Sequence, residues 1–182
     1  ITLTPDELSL ILQENNFKNN RYVILNTFNH SKEKTFYKKD FQLDDFSKGK
    51  IIYSNGIVID VNRIKKVIDI KQNNSTDWIL FKDVSFTNWI INFNGKLDTS
   101  NNKKISQRFN SNGLTGCLNF LNSVFKNTLI EINDGGCEDS INIIKSDGSI
   151  KSVNILNSFS DGLDIDFSNI TIDKLFVKKS GN

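Results

Sequence analysis

Ser140-Ile141-Asn142-Ile143-Ile144 is answered 22 residues later by Gly162-Leu163-Asp164-Ile165-Asp166, and Val153-Asn154-Ile155 is answered, again after 22, by Leu175-Phe176-Val177. Each stretch has the two-residue period of a strand, in which alternate side chains leave on opposite faces. Working upstream, the apolar–Asn/Asp–apolar phrase returns as Leu118-Asn119-Phe120, Ile91-Asn92-Phe93 and Ile68-Asp69-Ile70, with steps of 23, 27 and 23. The second track also has an earlier copy, Ile130 with Ile132, one step of 23 before Val153 and Ile155. Two tracks keeping one step describe short strands at fixed spacing, wound into a solenoid of about 22 residues per coil. A helical reading fails, because residues 141–177 sustain no i, i+3, i+4, i+7 apolar stripe and Gly148 and Gly162 interrupt them.

The 182 residues suit one domain with a small cap. The chain has no Ala, no Met, one Pro and 26 Asn, the bias of an AT-rich, bacterial coding sequence. Without Met the start of translation is missing, as in a processed product or an excised fragment. The formal net charge is +2, and the basic pairs Lys38-Lys39, Lys65-Lys66, Lys103-Lys104 and Lys178-Lys179 are scattered. A nucleic-acid partner, which calls for a basic face or run, is not expected. No apolar run approaches the roughly 18 residues of a membrane span.

Residues 1–50 read as an N-terminal cap. Thr4-Pro5-Asp6-Glu7 has the N-cap, first-turn Pro and capping-box Glu of a helix start, and Leu8, Ile11 and Leu12 share one face of that helix. Such a helix would cover the open end of a solenoid, whose backbone groups otherwise invite pairing. Tyr22–Leu25 and Thr35-Phe36-Tyr37 read as strands. Residues 51–182 read as the coils, opening near Ile51 and Ile57 and turning at Ser54-Asn55-Gly56, Asp134-Gly135-Gly136, Ser146-Asp147-Gly148 and Ser160-Asp161-Gly162. The 27-residue step holds an insertion, 95–112, of the kind that builds a binding wall at a corner. The register stops partway through a coil at Ser180-Gly181-Asn182, which reads as a C-terminal truncation.

Cys117 and Cys137 lie 20 residues apart, an offset of about three positions between neighbouring coils. At roughly 3.3 Å per residue that is about 10 Å, too far for a disulfide unless the Gly135-Gly136 turn closes the gap. With no His beside the thiols, zinc is not expected.

Glu138-Asp139-Ser140-Ile141-Asn142-Ile143-Ile144 and Ser160-Asp161-Gly162-Leu163-Asp164-Ile165-Asp166-Phe167-Ser168 together resemble the right-handed parallel β-helix repeats of pectin-lyase-like bacterial proteins. The resemblance covers residues 57–182. It implies an all-β, right-handed parallel β-helix, secreted or at the cell surface, that binds, cleaves or modifies polysaccharide. The catalytic patterns of that family do not carry over. The single histidine, His30, lies upstream of the repeats, and Arg21, Arg63 and Arg108 sit in no matching motif.

The strongest candidate site is an acidic patch where two coils stack. Aligning coils places Asp139 beside Asp161 and Asn142 beside Asp164, with Asp164 and Asp166 on the outer face of one strand and Glu138 next to Asp139. Two carboxylates about 4.8 Å apart repel by about 3.5 kcal/mol at an effective dielectric of 20. A cation, a raised pKa or turn amides would relieve that cost. Calcium suits Asp139, Asp161, Asp164 and Asp166 as oxygen ligands, and paired carboxyls at this spacing also suit a glycosidase. The structural alternative makes Asp139 and Asp161 corner residues that accept backbone N–H groups. Asn92, Asn119 and Asn142 form the column leading to Asp164, a stack of amides bonded along the solenoid. Trp78 and Trp89 at corners are candidates to stack on sugar rings, Phe93 falls on the inward track, and Arg108 stands on the insertion wall.

Three functions follow as expectations. The first is a non-catalytic extracellular or cell-surface module that binds polysaccharide or serves as a scaffold. A lyase or glycosidase centred on the acidic patch is the second. The third is a structural subunit that assembles end to end through its open coil edge.

Overall fold

The computed structural model describes residues 36–43, 49–97, 110 and 113–181, all within one compact unit spanning Thr35–Asn182. The expected capping helix at Thr4, the strand at Tyr22–Leu25, His30, Arg108 and most of the 95–112 insertion lie outside the described residues. The chain runs first through β1 (Phe36–Phe41), β2 (Gly49–Ser54), β3 (Ile57–Asn62) and β4 (Val67–Gln72). It continues through β5 (Ile79–Lys82), β6 (Ser85–Thr87), β7 (Ile90–Asn94), β8 (Gly116–Leu121) and β9 (Val124–Gly135). The last strands are β10 (Asp139–Ile144), β11 (Asp147–Ser158), β12 (Asp161–Asp166), β13 (Asn169–Ile172) and β14 (Leu175–Lys178).

These strands wind into a β-solenoid of about four turns. One sheet runs β1-β2-β5-β8-β10-β12, and a second runs β3-β4-β7-β9-β11-β13, with β14 also on β11 and β6 on β9. From β4 and β5 onward every pairing is parallel. Before that point β1, β2 and β3 pair antiparallel with their neighbours. The long strands β9 and β11 bend between their two halves, where the register shifts at Ser149–Ser152. Their first halves pair with β6 and β13 to make a short third face.

The cadence differs from the expected 27-residue step. On the second sheet the inward pair runs Ile68/Ile70, Ile91/Phe93, Ile130/Ile132, Val153/Ile155 and Leu175/Val177, so the long step is 39. On the first sheet it runs Ile79/Phe81, Leu118/Phe120, Ile141/Ile143 and Leu163/Ile165, again with one step of 39 and then 23 and 22. The insertion therefore lengthens a single coil between β7 and β8. The 27-residue step compared strands on different faces, so the expected column divides. Asn92 lies on the second sheet between Asp69 and Glu131, whereas Asn119 lies on the first, between Leu80 and Asn142.

Apolar residues repeat inward because that side is withdrawn from water, and their burial drives the stacking. Phe81 stacks on Phe120 and Phe86 on Phe125, at 5.7 and 5.5 Å between ring centres, each pair joining successive coils. Phe86 meets Phe120 edge to face at 88°, locking two faces of the solenoid together. The corners use left-handed backbone at equivalent places: Asp83, Asn122, Lys145 and Phe167 form one such series, with φ between 47° and 58°. Asn and Asp tolerate that conformation better than other side chains. Their amides then bond between coils, Asn122 to Asp83 at 2.7 Å, Asn127 to Asn88 at 2.8 Å and Asn157 to Asp134 at 2.9 Å. At Gly148, with φ of +114°, a Cβ would strike the Phe125 carbonyl of the preceding coil.

Cys117 and Cys137 form a disulfide with Cα atoms 5.3 Å apart. The strand offset exaggerates their separation, because Cys137 belongs to the Gly135-Gly136 corner rather than to a strand. That corner folds back on the start of β8, and its Gly136 sits tightly against the Lys96 carbonyl and Ser75.

Candidate functional site

Asp139 opens β10 and lies between Gly116 of β8 and Asp161 of β12, as the coil alignment requires. Its N–H donates to the Thr115 carbonyl at 3.2 Å, and the Thr115 side chain hydrogen-bonds its carboxyl. Only 3% of the residue is exposed. Burial pushes the carboxyl up to about 6 from its ordinary 3.8 against the opposing Thr115 hydrogen bond, and the negative charges of Asp164, Glu138 and Asp161 push it further. Next on the strand, Asn142 donates from Nδ2 to an Asp164 carboxylate oxygen at 3.1 Å. Its Oδ1 is buried with no hydrogen-bond partner among the described residues. Glu138, Asp139, Asp161 and Asp164 are thus one electrostatic group, whereas Asp166 pairs with Ile144 farther along the strands.

Among the described residues no group of three or more His, Cys, Asp or Glu side chains is placed to hold a metal ion. Trp78 and Trp89 are 5% and 3% exposed, so neither ring presents a face to a ligand. Trp89 belongs to the core cluster, as does Phe93.

On the outer side of the first sheet Leu80, Asn119 and Asn142 are buried, while Lys82, Leu121, Ile144, Asp164 and Asp166 are half-buried. Asn119 is saturated locally, accepting from Gly116 N at 3.1 Å and donating to the Gly116 and Ile79 carbonyls. It is a brace between coils. A second brace stands at the Gln72–Asp77 corner, which the sequence did not single out. Buried Asp77 accepts from Ser54 Oγ and from the Asn74 N–H and side-chain amide. Gln72 bridges the Asp77 carbonyl, the Lys96 N–H and Cys117 Sγ.

The second sheet carries the open wall. Its outward side chains form columns by register. Asp60, Asp69, Asn92, Glu131, Asn154 and Phe176 make one; Val58, Lys71, Asn94, Asn133, Leu156 and Lys178 make the next. Most are exposed, and beside them runs a half-buried apolar stripe of Val67, Ile90 and Leu129. Asn92 donates to Asp69 at 2.8 Å and Asn133 to Asn94 at 3.2 Å, so the amides are held in place along the stack. The signal for this wall lay between the apolar residues of the second track, hidden by the 39-residue step.

No helix among the described residues is long and apolar enough to cross a membrane. No protein-family model, curated protein or solved structure matches the chain.

Proposed function

We propose that the chain is a non-catalytic module of an extracellular or cell-surface bacterial protein, and that it holds polysaccharide or cell-surface glycan against the open wall of the second sheet. The observation that carries this reading is the contrast between the two walls. The first is closed along its Leu80–Asn119–Asn142 column and half-buried beside it, and the second exposes columns of carboxylate and carboxamide beside an apolar stripe. Asn both donates and accepts, and carboxylate accepts, so the columns complement a polymer of hydroxyl groups. The apolar stripe suits the C–H faces of sugar rings, and solenoid walls are long enough to engage several units of a polymer. The disulfide fits an oxidising compartment. The likeness of the Glu138–Ile144 and Ser160–Ser168 stretches to pectin-lyase-like repeats supports the same ligand class.

A glycan array with the intact chain tests the proposal. Binding without release of shortened product is expected, and the combined substitution Asn92→Ala, Glu131→Ala and Asn154→Ala should weaken it at least about tenfold, the effect of losing 1.4 kcal/mol. Binding unaffected by those changes, or no binding to any glycan, overturns the assignment of the wall. A carbohydrate-active enzyme is the second reading, favoured by the Asp139 carboxyl, pushed up to about 6 by burial, beside Asp161. Release of oligosaccharide by the wild type but not by Asp139→Asn would establish it instead.

A further inference from the structure

Asn-Gly occurs at Asn55-Gly56, Asn94-Gly95 and Asn112-Gly113, of which Asn112 lies outside the described residues. Such a pair can close on itself, because glycine has no Cβ to keep its backbone nitrogen away from the preceding carboxamide carbon. The two described pairs differ in what holds that nitrogen. Gly95 N donates to the Asn133 carbonyl at 2.7 Å, and Asn94 Oδ1 accepts from Asn133 Nδ2 at 3.2 Å. Both reacting groups of that pair are therefore tied to the neighbouring coil. Asn55 and Gly56 instead form the two-residue turn from β2 to β3. Asn55 is exposed, and the Gly56 N–H has no backbone acceptor among the described residues. The Tyr37 hydroxyl adds an independent sign, donating to Asn55 Oδ1 at 3.0 Å. That oxygen gains negative charge when the carboxamide carbon is attacked, and a donor already aimed at it stabilises the charge. Tyr37 is itself held in place: its ring lies 5.4 Å from that of Tyr53, and Lys39 Nζ sits over both rings.

We propose that Asn55 is a self-modification site, converted within its own turn to aspartate and isoaspartate with the help of the Tyr37 hydroxyl. Hydroxide takes the proton from Gly56 N, and the nitrogen forms a bond to Asn55 Cγ. The Cγ–Nδ2 bond then breaks, and the amine leaves as ammonia with a proton from water. Water next opens the cyclic imide. Cleavage of the new Cγ–N bond gives aspartate, whereas cleavage of the original backbone C–N bond gives isoaspartate, with the chain running through the side chain. Either product lowers the formal net charge from +2 by one. Their structural effects differ. Isoaspartate inserts an extra backbone atom between Ser54, which is buried and bonded to Asp77, and Ile57 of the core. Aspartate keeps that corner, and isoaspartate loosens it.

Incubation of the intact chain at pH 8 and 37 °C, followed by peptide mass spectrometry that separates aspartate from isoaspartate, tests the site. Position 55 should convert at least about tenfold faster than position 94, a barrier difference of about 1.4 kcal/mol. Tyr37→Phe should slow conversion at 55 by about threefold, since water replaces the phenol only in part, and leave position 94 unchanged. Gly56 is unsuitable for substitution, because a Cβ there would fall on the Asp77 carboxylate. Equal rates at 55 and 94, or conversion at 55 that is unchanged or faster in Tyr37→Phe, overturn the inference. If the variant does not fold, the wild type in denaturing urea decides. The difference between the two positions should vanish there, and its persistence would assign it to local sequence and contradict the role of the fold.

Discussion

Phe167 is the residue least suited to its place. It has a left-handed φ of 51° and is 84% exposed, so it bears the steric cost of a bulky side chain in that conformation with little burial in return. The equivalent corners one and more coils earlier use Lys145, Asn122 and Asp83. The two short polar side chains bond to each other along the stack, which Phe cannot do. Phe167→Asn should therefore stabilise the fold by about 0.5–1 kcal/mol, read as a higher urea midpoint at unchanged slope. A lower midpoint would mean that the ring packs against something that repays its strain. Asp139 is the opposite case, an ill-suited charge rather than an ill-suited shape: burial pushes its carboxyl up to about 6.

The strands and corners explain why part of the site was legible and part was not. Asn142 beside Asp164, and Asp139 beside Asp161, followed from the 22-residue step alone, because parallel strands turn sequence spacing into lateral contact. The assignment of Asn92 failed for a physical reason: an apolar–Asn–apolar phrase suits either sheet, and an insertion obeys no period. The inward apolar tracks were readable, whereas the burial of Asn119 on the outer side of the first sheet was not, since Leu118-Asn119-Phe120 has the same local pattern as Ile91-Asn92-Phe93, whose Asn92 is half-buried. The disulfide was hidden by its corner. Gly135-Gly136 set the path of Cys137, and strand arithmetic does not describe a glycine turn. That bridge closes one coil, β8–β9, through a 20-residue separation. Replacing both cysteines with serine should cost about 3 kcal/mol in denaturant unfolding, by the chain-entropy account of a loop of this length. A loss under about 0.5 kcal/mol would assign the stability of the corner to the Gln72–Asp77 network instead.

At the scale of the molecule, stacking one coil on another produces both a dry interior and two walls of different character. The phenylalanine stack and the aliphatic columns fix the spacing, and the amides and left-handed corners fix the register. What faces outward is free to be functional. On the first sheet that freedom ends in a buried Asp139 among other acids. On the second it yields an exposed lattice of Asp, Asn and Glu at strand spacing, and the reading of this protein as a glycan-holding module rests there. The most direct test is NMR titration of the intact chain with a soluble oligosaccharide chosen from the array. The account predicts that the side-chain amide signals of Asn92, Asn133 and Asn154 shift together and saturate with one affinity. Shifts confined to the Asp139–Asp164 seam, with those three amides unmoved, would contradict it.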